Sequence, residues 1–332
     1  MNNEFISLIN TSATRLQGYI ERTPLNYASH LSRETNSDVY QKMESTQVTG
    51  SCKSRSVFNK LLTMSEHAKE SELVTVSTGN NGISTSFALQ KLGMSGIVFL
   101  PHTVTQYKIE KISSQGMQIR FSGQDLEEAE IAARAYAEQH NAIFFSPYNN
   151  WDVIYGQGTI GLEIIEQLEL SGKQPDIVLV PIGGGGLISG IGGYLKAINT
   201  RIRIIGVQPL NSAVLYHSIR AGEIIQMESL PTLSDATAGG VEQGSITFGL
   251  CKQYVDDYIL VSEKEIHHAM CLMHNQSGVM LEGAGALSVA ALLQQREKIA
   301  GKTVIALCCG SNIEPKKFKH IVAGTDETEL TL

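Results

Sequence analysis

The segment around Lys53 has the composition of a site where a lysine amine could attack a carbonyl group. Lys53 stands among small polar residues in the segment 49–55 and precedes an amphipathic run at 57–62. A lysine amine, with its usual pKa of roughly 10.4, becomes a nucleophile when burial or a neighbouring cation lowers that pKa. A helix start and the nearby charge of Arg55 are expected to lower it. We therefore predict that Lys53 forms a Schiff base.

Four consecutive glycines predict a phosphate-binding turn. Gly183, Gly184, Gly185 and Gly186 follow the apolar run 177–180 and precede Leu187 and a helix-compatible stretch. A chain without Cβ atoms can curl around an anion, and a helix N-terminus adds partial positive charge. The spacing does not fit G-x-G-x-x-G, so a dinucleotide is not expected. A phosphomonoester is the predicted ligand, and a plain strand-to-helix turn is the alternative.

A second loop, residues 77–82, joins a strand-like run to a helix pattern that begins near residue 83. Asparagine and glycine in such a turn often serve only as helix caps or as left-handed positions. Together with the lysine segment and the glycine turn, this loop is predicted to contact a substrate or a cofactor.

Composition narrows the class of protein. The chain has 332 residues, of which 42% are apolar and 18% charged, with a net charge of −7. These values are typical of a globular protein with about two domains, and no basic cluster indicates a nucleic-acid or membrane partner. The N-terminus lacks a signal-peptide pattern, so we expect a cytoplasmic protein. The five cysteines show no zinc spacing and are expected to stay reduced.

Strand-like runs alternate with helix patterns along the chain, which predicts an α/β fold with parallel sheets. The predicted strands are 39–40, 73–76, 96–100, 118–121, 177–180, 202–207 and 303–307, and a helix is predicted at 126–139. Residues 71–148 are predicted to form a small domain, and 1–70 with 149–332 a large one. The site is expected in the cleft between them, at the carboxyl ends of the strands.

In this order the motifs resemble the fold-type II pyridoxal-phosphate enzymes, of the threonine/serine dehydratase and serine racemase family. Beyond the segments above, the resemblance is carried by the motifs 39–44, 156–159, 206–209, 255–263, 282–286 and 309–312. It implies a tryptophan synthase β-like fold of two open parallel-sheet domains, pyridoxal 5'-phosphate as cofactor and a homodimer. The segment 232–242 is similar to a branch that includes the hydroxyectoine-utilisation dehydratases.

The resemblance also implies roles for individual residues. Lys53 would hold the cofactor and remove the substrate Cα proton, and Thr78 would stand on the opposite face as a possible second acid or base. The implied cofactor-binding residues are Lys53, Asn80, Gly183, Gly184, Gly185, Gly186, Leu187 and Cys309. The implied substrate-binding residues, which would hold the carboxylate, are Ser77, Thr78 and Asn81.

Cys309 indicates which reaction the site would favour. A thiol with a pKa near 8.5 is nearly neutral and cannot hold a pyridinium as a carboxylate would. The ring is then a weaker electron sink, which suits a reaction that expels a β-substituent quickly. The expected activity is that of a lyase: dehydration of L-threonine, L-serine or a related 3-hydroxy amino acid to a 2-keto acid and ammonia. The alternatives are a serine- or aspartate-type racemase and a catalytically weak cofactor-binding protein.

Four departures from the family pattern bear on these expectations. Cys52 replaces an aromatic residue, Asn81 a histidine and Ser311 a glycine. At the divalent-cation site that some members carry, the two acidic positions read Gln208 and Val214. Hard cations prefer carboxylate oxygens, so we predict no metal at this site.

Overall fold

The computed structural model describes residues 2–64, 71–77, 79–124 and 126–324. The helices in this part of the chain are α1 (Asn2–Arg15), α2 (Ser29–Thr35), α3 (Lys53–Thr63), α4 (Asn80–Leu92), α5 (Gln106–Ser113), α6 (Leu126–Gln139), α7 (Trp151–Glu169), α8 (Gly186–Ile198), α9 (Val214–Ala221), α10 (Ile246–Tyr254), α11 (Glu263–Ser277), α12 (Gly283–Gln294) and α13 (Pro315–Val322). The strands are β1 (Leu25–Tyr27), β2 (Asp38–Lys42), β3 (Leu73–Val76), β4 (Gly96–Leu100), β5 (Gln118–Phe121), β6 (Ile143–Phe144), β7 (Ile177–Pro181), β8 (Arg203–Pro209), β9 (Asp257–Val261) and β10 (Thr303–Leu307).

The strands form two sheets. The larger has the order β1-β2-β10-β7-β8-β9, and the smaller has the order β5-β4-β3-β6. All neighbouring strands are parallel except β1, which pairs antiparallel with β2 at the edge of the larger sheet. The prediction of an α/β fold with two parallel sheets is confirmed, with this one antiparallel strand as the difference. The domain boundaries at residues 71 and 148 remain a prediction.

The central strands of each sheet are buried on both faces. Ile177 and Leu179 of β7 pack into one apolar cluster, and Val178 and Val180 pack into another. Successive side chains of a strand point to opposite faces, so this division places one core on each side of the larger sheet. The central strands therefore read as continuous apolar runs in the sequence, which is why their bounds were predictable.

Helix α7 begins at Trp151 because the Asn150 side chain caps it, accepting hydrogen bonds from the backbone N–H groups of Asp152 and Val153. Within the described residues, no helix has the length and apolar content needed to cross a membrane.

The topology brings the predicted segments to one edge. Lys53 follows β2, the 77–82 loop follows β3, the glycine turn follows β7 and Cys309 follows β10. In open parallel sheets the carboxyl ends of the strands form the crevice in which ligands bind. The fold therefore assembles the four segments around a common cavity.

Candidate active site

The cavity at this edge has a volume of about 1110 Å³. It is lined by both sheets' loops, and its walls include Lys53, Ser77, Asn80, Asn81, Gly183, Gly184, Gly185, Gly186, Leu187, Cys309 and the 236–242 loop. The structure thus brings together every predicted site residue except Thr78, which lies outside the described residues. Their individual roles remain predictions.

Lys53 is the first residue of α3, and its Nζ donates a hydrogen bond to the Pro147 carbonyl at 2.9 Å. Burial lowers the pKa of Lys53 below its usual value, because the charged ammonium loses hydration. A lowered pKa leaves more of the amine neutral near pH 7, which is the form that attacks a carbonyl.

The charge of Arg55 is paired with buried carboxylates rather than directed at Lys53. Its side chain is fully buried, with Nε 2.8 Å from Glu44 Oε2 and Nη1 2.6 Å from Glu163 Oε1. Two carboxylates therefore neutralise its charge, and Lys42 completes the group by pairing with Glu163. The expectation that Arg55 lowers the pKa of Lys53 is wrong; burial is the cause.

The glycine turn is a cradle that side chains would fill. A Cβ atom on Gly184 would lie 2.5 Å from the Tyr148 ring, and one on Gly183 would lie 3.2 Å from Thr237 Cα. Gly185 has φ +88°, and α8 begins at Gly186. Close packing around a bare backbone at a helix N-terminus fits a phosphate group.

Gly185→Ala is expected to weaken phosphate binding. The new Cβ would lie 3.0 Å from Thr247 Cβ and 3.1 Å from Cys251 Sγ, in a left-handed backbone conformation. Such strain costs about 1–3 kcal/mol, so the Kd for pyridoxal phosphate should rise about tenfold or more in a fluorescence titration. Gly249→Ala is the matched control, because a Cβ there meets no heavy atom of the described residues within 4 Å. Equal affinities for the two variants would contradict the assignment of the cradle.

The orientation of the Asn81 amide is fixed by its hydrogen bond to Thr75. Thr75 Oγ1 donates to the Phe145 carbonyl and therefore accepts from Asn81 Nδ2, at 3.3 Å. This fixes the orientation of the amide and leaves Asn81 Oδ1 buried with no partner among the described residues. The carboxylate-binding role that the sequence predicted for Asn81 stays a prediction.

Cys309 and Cys52 lie on neighbouring segments, where the Cys52 N–H donates to the Cys309 carbonyl at 2.9 Å. Burial raises the pKa of the Cys309 thiol well above its usual value and that of Cys52 to about 12. Both thiols are therefore neutral at pH 7. The expectation that Cys309 offers no anionic partner to a ring nitrogen is consistent with this environment.

Glu282 is a site residue that the sequence assigned no role. It precedes α12, is 4% exposed and accepts a hydrogen bond from Asn80 Nδ2 at 2.6 Å. Burial, followed by the charge of Asp235, raises the pKa of Glu282 to about 7, although Asn80 and Lys108 oppose the shift. The sequence signal that could have identified Glu282 is a lone acidic residue directly before the apolar run 283–294. Such a group is costly to bury without partners, so its position indicates a specific contact.

The raised pKa of Glu282 predicts a pH-dependent stability. A carboxyl whose pKa is higher in the folded than in the unfolded state stabilises the fold below the unfolded pKa, and this contribution is lost as pH rises through about 7. In the cofactor-free protein, the free energy of unfolding of Glu282→Gln should rise by roughly 3 kcal/mol relative to that of the wild type as the pH increases from 4.5 to 8. Denaturant unfolding at both pH values measures this difference, and parallel stabilities across the range would contradict it.

Two ion pairs lie in the wall of the cavity. Arg134 of α6 lies 2.6 Å from Glu242, and Lys108 of α5 lies 2.7 Å from Asp235. They link helices beside the smaller sheet to the 232–242 segment.

The residues at the position of the family's divalent-cation site make other contacts in this protein. Gln208 accepts from the Tyr216 N–H at 2.8 Å, and Val214 is a buried apolar residue. Within the described residues, no group of three or more His, Cys, Asp or Glu side chains could hold a metal ion. The prediction that no divalent cation activates the protein stays untested.

A buried lysine that faces a glycine cradle for phosphate, at the carboxyl edge of parallel strands, defines an α/β enzyme whose cofactor is a phosphorylated carbonyl compound. The cradle, the amine and the neutral thiol all fit pyridoxal phosphate. The chain belongs to the pyridoxal-phosphate dependent enzyme family, whose model matches residues 16–310. Pyridoxal phosphate is therefore its cofactor.

Individual relatives refine this assignment. The chain is 38% identical to an L-threonine ammonia-lyase of Thermotoga maritima, over 92% of this chain and 75% of that protein. Among solved structures, it is similar to the processed form of threonine deaminase isoform 2 from Solanum lycopersicum, with a TM-score of 0.90, 28% identity and coverage of 97% and 87% of the two chains. It is also similar to maize serine racemase, with a TM-score of 0.89, 28% identity and 95% coverage of each chain.

Proposed function

We propose that the protein eliminates water from a 3-hydroxy amino acid, L-threonine or L-serine, to give a 2-keto acid and ammonia. The observation that carries the proposal is the placement of Lys53 Nζ and the glycine cradle in one cavity. The L-threonine ammonia-lyase relative supports this reaction class. For L-threonine the balance is one 2-oxobutanoate and one ammonia, since the water lost with the Cβ hydroxyl is regained when the enamine product hydrolyses.

Lys53 is the proposed base. When bound, pyridoxal phosphate withdraws electrons from the substrate Cα and makes its proton acidic. Lys53 Nζ takes that proton, and the lowered pKa of the buried amine favours its neutral form near pH 7. The Pro147 carbonyl, 2.9 Å away, fixes the direction of the amine.

The 77–82 loop is the proposed substrate site. Backbone N–H groups at the start of α4, where the helix dipole is positive, bind the substrate carboxylate, and the family resemblance adds the side chains of Ser77 and Thr78 to this role. Cys309 would contact the ring nitrogen and, as a neutral thiol, would leave the ring a weaker electron sink, which favours elimination.

The test is to incubate the holoenzyme with L-threonine or L-serine and to follow ammonia and keto acid together. Release of both in equal amounts supports the proposal. Inversion of recovered L-serine without ammonia would instead support racemisation, the second candidate, which the likeness to maize serine racemase favours. Cofactor binding without turnover of any tested amino acid would contradict both.

Assembly and location are proposed on the family resemblance. The protein is proposed to be a cytoplasmic homodimer. Light scattering after size-exclusion chromatography tests the homodimer, and cell fractionation tests the cytoplasmic location. A monomer mass near 36.1 kDa at working concentration would contradict the dimer.

A further inference from the structure

Four side chains form a continuous hydrogen-bonded chain along the cavity wall. Lys111 Nζ donates to Asn312 Oδ1 at 3.0 Å, and Asn312 Nδ2 donates to Asn80 Oδ1 at 2.6 Å. Asn80 Nδ2 then donates to Glu282 Oε1 at 2.6 Å. The chain joins α5, the loop after β10, the start of α4 and the residue before α12, so it connects elements of both sheets.

A hydrogen bond to a residue outside this chain fixes which atoms donate and which accept along it. Asn312 Nδ2 also donates to the Thr49 carbonyl at 2.8 Å, and a carbonyl can only accept. The Asn312 amide group is therefore assigned, so Asn80 must turn its oxygen toward Asn312 and its NH₂ toward Glu282. Glu282 Oε1 is the matching acceptor, because a carboxyl oxygen accepts this hydrogen bond whether the group is ionised or protonated.

Gly310 leaves room for the Glu282 carboxyl beside Asn80. A Cβ on Gly310 would lie 2.1 Å from Glu282 Oε1, so only a glycine allows this approach. Asn80 is 9% exposed and Glu282 is 4% exposed. Because buried polar groups cost free energy when they lose a partner, this arrangement resists rotation of the Asn80 amide.

We propose that Asn312 and Glu282 are positioning residues that hold the Asn80 amide in one orientation. Asn80 Nδ2 has two hydrogens, of which Glu282 accepts one, and the other is the donor that a phenolate oxygen of the cofactor requires. A rotated amide would offer that oxygen an acceptor instead. This inference rests on the cofactor-binding role that the family resemblance implies for Asn80, a hydrogen bond to the phenolic oxygen of pyridoxal phosphate.

Asn312→Asp is the direct test. A carboxylate of the same shape cannot donate to Asn80 Oδ1, so the Asn80 amide should rotate. We expect the Kd for pyridoxal phosphate to rise about tenfold and the absorption maximum of the bound cofactor to shift. Lys111→Met is the matched control, because the Thr49 carbonyl still fixes Asn312, and its affinity and spectrum should equal those of the wild type.

A second pair of variants decides the question if Asn312→Asp does not fold. Glu282→Gln keeps an acceptor for Asn80 Nδ2 and should keep the wild-type spectrum. Glu282→Leu leaves Asn80 Nδ2 without its acceptor while Asn312 still holds Asn80 Oδ1, so the same changes in spectrum and affinity are expected at a smaller size than in Asn312→Asp. Wild-type affinity and spectrum in Glu282→Leu and in folded Asn312→Asp would overturn the proposal.

These readouts separate this inference from the proposed reaction, since no amino acid is present in them. If the wild type releases no ammonia from any hydroxy amino acid but the variants shift as expected, the reaction fails and the positioning role stands. If the wild type is an active lyase and the variants absorb and bind as it does, the positioning role fails alone.

Discussion

Replacing Lys53 by alanine lowers the rate of ammonia release from L-threonine by roughly 10⁴-fold or more, because the proposed base and the covalent attachment of the cofactor are lost together. Lys53→Arg should be as inactive, since a guanidinium keeps the charge but neither forms the carbonyl adduct nor accepts a proton near pH 7. Ammonia release at saturating pyridoxal phosphate measures both effects.

Lys60→Ala provides the control on the same helix. Lys60 lies near the C-terminal end of α3, where it pairs with Asp152 at 3.0 Å and its side chain is 22% exposed. Loss of such a pair costs about 0–1 kcal/mol, so the activity should stay near that of the wild type. Substantial ammonia release by Lys53→Ala, above that of a cofactor-only blank, would remove Lys53 from the mechanism.

The second large effect is on stability. Arg55→Met leaves the carboxylates of Glu44 and Glu163 without their main partner in the interior, and breaking a buried pair in this way costs about 3–5 kcal/mol. The midpoint of denaturant unfolding should fall accordingly. Lys53 lies two positions before Arg55 on α3, so the variant should also lose affinity for the cofactor.

Arg22→Met is the matched comparison on the surface. Arg22 pairs with Glu166 at 2.6 Å, a distance similar to those of the buried pairs, but the two side chains are 53% and 44% exposed. Removing an exposed pair costs about 1 kcal/mol or less. Equal losses in Arg22→Met and Arg55→Met would show that the buried group contributes no more than a surface contact.

The sequence predicted the strands that are buried on both faces. β3, β4 and β10 have the predicted bounds, because apolar runs that end at turn residues indicate such strands directly. The bounds of β5 also match, although it is a mostly exposed edge strand in which apolar and polar residues alternate. The strands β1, β6 and β9 were missed. β1 and β6 have only three and two residues, and β9 is an edge strand, so pairing with a neighbour rather than local pattern defines them.

The sequence predicted those site residues that a local sequence pattern identifies. A lysine at a helix start and a run of glycines are visible in the sequence, whereas the partners of Asn80 are not. Glu282 and Asn312 lie 202 and 232 positions away from Asn80, and the fold alone brings them together. The error on Arg55 has the same origin, since Glu163 lies 108 positions away.

The most direct test of the account is to identify the residue that carries the cofactor. The holoenzyme is reduced with borohydride, which converts a carbonyl–amine adduct into a stable bond, and its peptides are then mapped by mass spectrometry. The account predicts a pyridoxyl-phosphate group on Lys53 and none on Lys60. Modification of a different lysine, or of none when pyridoxal phosphate is saturating, would contradict it.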